Sequence, residues 1–178
     1  MYKKWMKRMA AGLTALCLLV SLTACGQQLG NNAEQEAGPI GEGDLTCYLT
    51  ISCATILDNM EDLADGKETL VPEDGILLPR TEISFTEGQS VYDVLQLVTT
   101  EKRIHMESVF TPMYDSAYIE GIGNLYEFDC GPNSGWMYSV NDWYPNYGVS
   151  QYQLEDGDEI QLNYTCDLGR DLGQTWTE

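Results

Sequence analysis

From Leu45 to Cys53 apolar and polar side chains alternate, with Leu45, Cys47, Leu49, Ile51 and Cys53 on one face and Thr46, Tyr48, Thr50 and Ser52 on the other. That period of two predicts a half-buried strand. Residues 57–79 are acidic and punctuated by Gly66, Pro72, Gly75 and Pro79, which predicts turns with one helical turn around Asn59 to Leu63. Residues 81–85 read as a short second strand, ended by Glu87 and Gly88. The period then changes. Val91, Val94, Leu95 and Val98 fall at i, i+3, i+4 and i+7, and Ser90 with Asp93 forms a capping box, so a helix starts at Ser90 and runs to about Thr100. Its apolar stripe is expected to cover a sheet. Residues 104–110 and 118–122 carry weaker strand patterns, and 125–129, 135–141 and 159–166 stronger ones, with turns at Gly123-Asn124 and Asp156-Gly157-Asp158. One helix among six or seven mostly antiparallel strands is an α+β domain.

Ahead of that domain the pattern is of another kind. Lys3, Lys4, Lys7 and Arg8 form a basic segment with no acid, residues 9–23 are largely apolar, and Leu22-Thr23-Ala24-Cys25 closes the run. The segment resembles bacterial lipoprotein signal peptides, in which the cysteine of a Leu-small-small-Cys box is acylated and becomes the first residue of the mature chain. The apolar run is shorter than the ~20 residues a spanning helix needs, so the expectation is a signal over 1–24 and lipidation at Cys25. Localisation follows: an exported protein, held by lipid on the outer face of the cytoplasmic membrane or of another envelope membrane. Residues 26–43 are polar, rich in Gly, Asn, Gln and Glu, and aperiodic, which with Cys25 makes 25–43 a tether. As a flexible coil it spans about 25 Å. Residues 44–178 are then one domain's length.

Charge narrows the partners. The chain has 28 acidic and nine basic residues, and the signal holds four of the latter, so the mature chain carries five against 28, a formal charge of −23. Such a surface repels phosphate backbones, which argues against nucleic acid as a partner.

Three motifs carry a family resemblance: Gly88-Gln89-Ser90-Val91-Tyr92-Asp93-Val94-Leu95, then Ser134-Gly135-Trp136-Met137-Tyr138-Ser139-Val140-Asn141, then Tyr152-Gln153-Leu154-Glu155-Asp156-Gly157-Asp158-Glu159-Ile160. In this order and spacing they resemble the C-terminal domain of the transcobalamin and intrinsic-factor proteins and a bacterial family grouped with it, over roughly residues 45–171. The resemblance implies a β-grasp-like set of antiparallel strands around one helix. It also implies a ligand surface for a corrinoid, with cobalamin or a related corrinoid as ligand rather than cofactor, near Trp136, Tyr138 and Asn141. The vitamin carriers close a large helical domain over this one. No such segment is present here, so the expectation is a half-site that works with a partner or transporter. The resemblance further implies that first and last strands run side by side in parallel, which would put Cys53 near Cys166 and leave Cys47 and Cys130 to pair or stay free.

Read without the family, the aromatic cluster still stands out. Trp136, Tyr138, Trp143, Tyr144, Tyr147 and Tyr152 fall within 17 positions. Trp136 and Tyr138 could alternate inward and fill a core. Trp143, Tyr144 and Tyr147 sit in a loop with Pro145 and Gly148 and have fewer ways to be buried, which makes the loop the better candidate site. Of six cysteines, Cys17 leaves with the signal and Cys25 is lipidated, and the remaining four allow three disulfide pairings. No C-x-x-C pair occurs and His105 is the only histidine, so no metal site is expected. The nucleophile elbow, phosphate loop and zinc-hydrolase motifs are absent, and with 28 acids a carboxylate pair is not diagnostic, so the expectation is no enzyme. Two functions of different class follow. One is a surface-tethered module that captures a corrinoid or a comparably flat ligand. The other is a protein- or glycan-interaction (adhesion) module that uses the same aromatics on a cell-surface partner. Capture requires a concave site walled by the aromatic loop, and adhesion a flat or convex patch.

Overall fold

The structure, a computed structural model, describes residues 39–174. The signal segment, Cys25 and most of the tether lie outside the described residues. Seven strands and one α-helix follow in the order β1 (Leu45–Ser52), β2 (Ile76–Phe85), α1 (Val91–Lys102), β3 (Met106–Thr111), β4 (Ser116–Ile122), β5 (Leu125–Tyr126), β6 (Gly135–Val140) and β7 (Glu159–Thr165). The domain is α+β. Its strands form two sheets: a four-stranded mixed sheet ordered β2-β1-β7-β6 and a three-stranded antiparallel sheet ordered β3-β4-β5. Among the described residues no helix is long and apolar enough to cross a membrane.

β1 behaves as its alternation predicts, with Cys47, Leu49 and Ile51 buried and the intervening side chains half-buried. It pairs antiparallel with β2 and parallel with β7, in the register Tyr48↔Glu159, Thr50↔Gln161 and Ser52↔Asn163. The outer face of this sheet is therefore polar. β2 begins five residues earlier than its pattern suggests and includes Pro79. An edge strand tolerates a residue with no N–H. Between Leu49↔Thr81 and Ile51↔Leu78, three steps of β2 oppose two of β1, which bulges the strand at Pro79 and Arg80. The acidic segment before it is folded into short 3-10 turns at Ala54–Asp58, Met60–Asp62 and Glu68–Leu70.

α1 is capped as the sequence predicts: Asp93 N–H donates to the Ser90 side chain while the Ser90 N–H donates to Asp93 Oδ2 at 2.7 Å. Val91, Val94, Leu95 and Val98 are fully buried and join Leu49, Ile51, Phe85, Ile160, Leu162 and Tyr164 in one core. Arg103 ends the helix in the left-handed conformation. β5 stops at Tyr126, short of the expected 129, because Phe128 takes φ +68° and Asp129 turns back to accept the Tyr126 N–H at 2.6 Å.

Candidate functional site

β6 carries the buried aromatics. Trp136 donates its indole N–H to Leu125 O at 2.8 Å and meets Tyr164 edge-on at 5.3 Å. Tyr138 donates its hydroxyl to Tyr147 O at 2.8 Å and meets Tyr152 edge-on. β6 then reverses in a tight turn, in which Asn141 and Asp142 have φ of +51° and +64° and Val140 and Trp143 exchange backbone hydrogen bonds. Positive φ at both central residues is the mark of the turn that matches strand twist. Asn141 braces it, donating to Asp158 Oδ1 at 2.8 Å and accepting the Glu159 N–H at 3.0 Å.

The chain after the turn folds back over the small sheet. Val149 O and Tyr152 O accept the N–H groups of Tyr92 and Val91 at the start of α1. Ser150 Oγ accepts the Ala117 N–H and shares a hydrogen bond with Ser116 Oγ, both at 3.0 Å. These contacts set residues 145–149 beside β4. Between β4, β6 and this loop lies a cleft of about 560 Å³, within the range of small-molecule pockets. Trp136, Met137, Tyr138 and Leu162 line it from the large sheet, Ser116, Ala117, Tyr118 and Ile119 from β4, and Pro145, Asn146, Tyr147 and Gly148 from the loop. Thr111, Tyr114 and Gln151 complete the rim.

The lining carries hydroxyls, amides, rings and aliphatic groups but no carboxylate, ammonium or guanidinium. Burial pushes the Tyr138 phenol up from its ordinary value, and burial followed by the hydrogen bond to Glu127 does the same for Tyr118. Both remain neutral near pH 7. The cleft therefore suits a neutral, flat ligand that stacks on rings and hydrogen-bonds at its edge.

Of the residues expected at a ligand surface, the structure brings Trp136, Tyr138 and Tyr147 to this cleft. Trp136 and Tyr138 are each 8 % exposed, so they form core and cleft floor at once. Trp143, 53 % exposed, stands behind Tyr147 with ring centroids 6.0 Å apart. Asn141 spends its amide on Asp158 and Glu159, at the turn. Tyr144 points to the opposite side of the sheet, into a polar depression with Ser52, Thr55, Ser139, Gln161 and Asn163. The β4 wall and the rim at Tyr114 and Gln151 were not singled out in the sequence; Ser116, Tyr118 and Gln151 have no motif, and only the fold brings them within reach.

The four cysteines among the described residues are free. Cys47 lies near the start of β1, where the adjacent Tyr48 N–H donates to Asp158 O, and Cys53 follows the other end of the strand. Six residues of strand put them about 20 Å apart. Cys166 follows β7 at the Cys53 end of the sheet, where Ser52 pairs with Asn163, and both it and Cys130 reach the 3-10 turn after Cys53, at Thr55 Oγ1 and Asn59 O. A Cys47–Cys130 bridge is therefore out of reach in this fold, since a disulfide needs its Cα atoms within about 7 Å. Among the described residues no group of three or more His, Cys, Asp or Glu side chains is placed to hold a metal ion.

No curated protein matches the chain. Among solved structures, a provisionally described metal binding protein from Ruminococcus gnavus ATCC 29149 aligns with a TM-score of 0.41 and 15% identity, over 68% of this chain and 97% of that one. Haptocorrin in complex with Cbi aligns with a TM-score of 0.46 and 10% identity, over 70% of this chain and 25% of haptocorrin, so this chain spans about a quarter of that protein's length. Residues 88–166, from the last loop before the helix to the end of β7, match the family described as "Domain of unknown function (DUF4430)".

Proposed function

We propose that this protein is a non-catalytic capture module for a small, flat, uncharged ligand, held at the membrane by lipid on Cys25 and handing its ligand to a partner or transporter. The observation that carries the reading is the concave cleft between β4, β6 and the aromatic loop, with Tyr147 on its wall, Trp136 and Tyr138 at its floor, and no charged side chain in its lining. The three sequence motifs favour a corrinoid as the ligand and a β-grasp-like reading of the mixed sheet. The cleft is open to solvent, which accords with a half-site that a second protein closes.

A titration of the purified chain with cobalamin and its precursors, followed by tryptophan fluorescence, tests this directly. Saturable binding at micromolar concentration or tighter is expected, because Trp136 lies in the floor. The double substitution Trp143→Ala with Tyr147→Ala is expected to abolish the signal and leave the fold intact, since neither ring is in the buried core. An unfolded double variant would make the loop part of the core and remove the site assignment.

One observation favours a second reading. Val109, Phe110, Met113, Tyr114 and Tyr118 are exposed on the β3–β4 hairpin, with Met113 at 85 %. A row of such side chains beside the cleft suits a protein or glycan partner. A chain that binds no corrinoid, and loses adhesion to its partner on Phe110→Ser with Met113→Ser, would support that reading over capture.

A further inference from the structure

We propose that Cys130 and Cys166 form a disulfide that locks the floor of the cleft. Both lean on the same 3-10 turn: Cys130 Sγ reaches Asn59 O at 3.3 Å and Cys166 Sγ reaches Thr55 Oγ1 at 3.8 Å. The turn is itself fixed, with Asn59 Nδ2 donating to Thr55 O at 2.8 Å and Thr55 Oγ1 donating to Tyr164 O at 2.6 Å. The two backbones are held as firmly. Cys130 forms an antiparallel bridge with Leu63 and donates its N–H to Ser134 Oγ, and the Cys166 N–H donates to Asp171 Oδ2 at 2.6 Å. Two thiols that reach the same turn, on backbones anchored from several sides, are placed to close a disulfide.

Cys53 is the competing partner for Cys166 and lies at the same end of the sheet. It is fully buried and its N–H is tied to Gly75 O at 2.7 Å. Cys166 is the half-exposed member of the group and so the point of entry for an oxidant. The oxidant is a small-molecule or protein disulfide, RSSR. The Cys166 thiolate attacks one sulfur of RSSR, forming a mixed disulfide and releasing RS⁻. The Cys130 thiolate then attacks the Cys166 sulfur, forming the internal bond and releasing the second RS⁻. Two thiol protons and two electrons pass from the protein to RSSR, which leaves as two RSH. The bond joins the loop after β5 to the end of β7, and these two strands hold Trp136 through Leu125 O and the Tyr164 ring.

The full-length chain, reduced and then equilibrated with oxidised glutathione, is denatured in N-ethylmaleimide and digested with trypsin. Cleavage after Arg103 and Arg170 leaves Cys130 and Cys166 in one peptide, 104–170, and Cys47 with Cys53 in another. The expected product is peptide 104–170 lighter by two hydrogens and free of maleimide, with Cys47 and Cys53 alkylated. Cys53→Ser should leave this product unchanged. In addition, reductant should lower the melting temperature of the oxidised chain and have no such effect on Cys166→Ser. Maleimide on Cys130 or Cys166, or a covalent link from either to the peptide carrying Cys47 and Cys53, overturns the proposal.

Discussion

Gly148 decides whether the cleft exists. The loop passes so close to β4 that a Cβ at this position would meet Ser116 Oγ at 1.8 Å and Ser116 Cβ at 2.6 Å. Ser116 is buried and hydrogen-bonded to Ser150, so it has nowhere to move. Gly148→Ala should therefore push the loop off β4, lower stability by about 1–3 kcal/mol as overpacking does, and weaken ligand-induced fluorescence change more than it lowers the melting temperature. A variant that melts lower but binds as tightly would mean that the loop wall is dispensable. Asn141 shows what a single residue hides from sequence reading. Its place in the Val-Asn motif marks it as a ligand contact by resemblance, yet its amide is used to hold a turn whose two central residues have positive φ. The signal for that role is local, an Asn-Asp pair between two strand patterns.

At the scale of elements, the patterns that were legible are those in which one face is buried and the other is not. β1 shows its alternation because its inner face meets the helix-covered core while its outer face stays polar. α1 shows both its stripe and its cap. Ser90→Ala removes the hydroxyl that accepts the Asp93 N–H, and should cost about 1 kcal/mol, seen as a lower urea midpoint with an unchanged slope. No change would mean that Gln153, which bridges to Ser90, holds the helix start by itself. β3 and β4 were harder to read. β3 exposes Val109 and Phe110 side by side, so its pattern does not alternate cleanly, and β4 buries Ser116 and Ala117 while exposing Tyr118. That inverted hydropathy follows from the cleft: small groups make room at β4, and the loop covers them. Pro79 misled for a different reason, since it breaks central strands but is accepted at the bulged edge of this sheet.

For the whole molecule, the acidic charge says what it repels, while the buried thiols set how it responds to base. Burial pushes the thiols of Cys47 and Cys53 from 9.0 up to about 12 and about 11, and that of Cys130 up to about 12. The folded, reduced chain keeps protons that the unfolded chain gives up above pH 9, so stability is full below pH 9 and is lost as pH rises toward about 11–12. Urea midpoints measured in reductant, near neutral pH and about one unit above the ordinary thiol value, should show that fall; equal midpoints would mean that the thiols are solvated in the native state. The architecture also determines when the site appears. β1 and β7 are paired across nearly the whole domain, and Leu162 of β7 is part of the cleft. Pairing of chain segments so distant in sequence closes late in folding. A growing or truncated chain that lacks β7 consequently has neither its central sheet nor the cleft, and if the cleft is the capture site proposed above, competence for ligand arrives in a single step with the last strand.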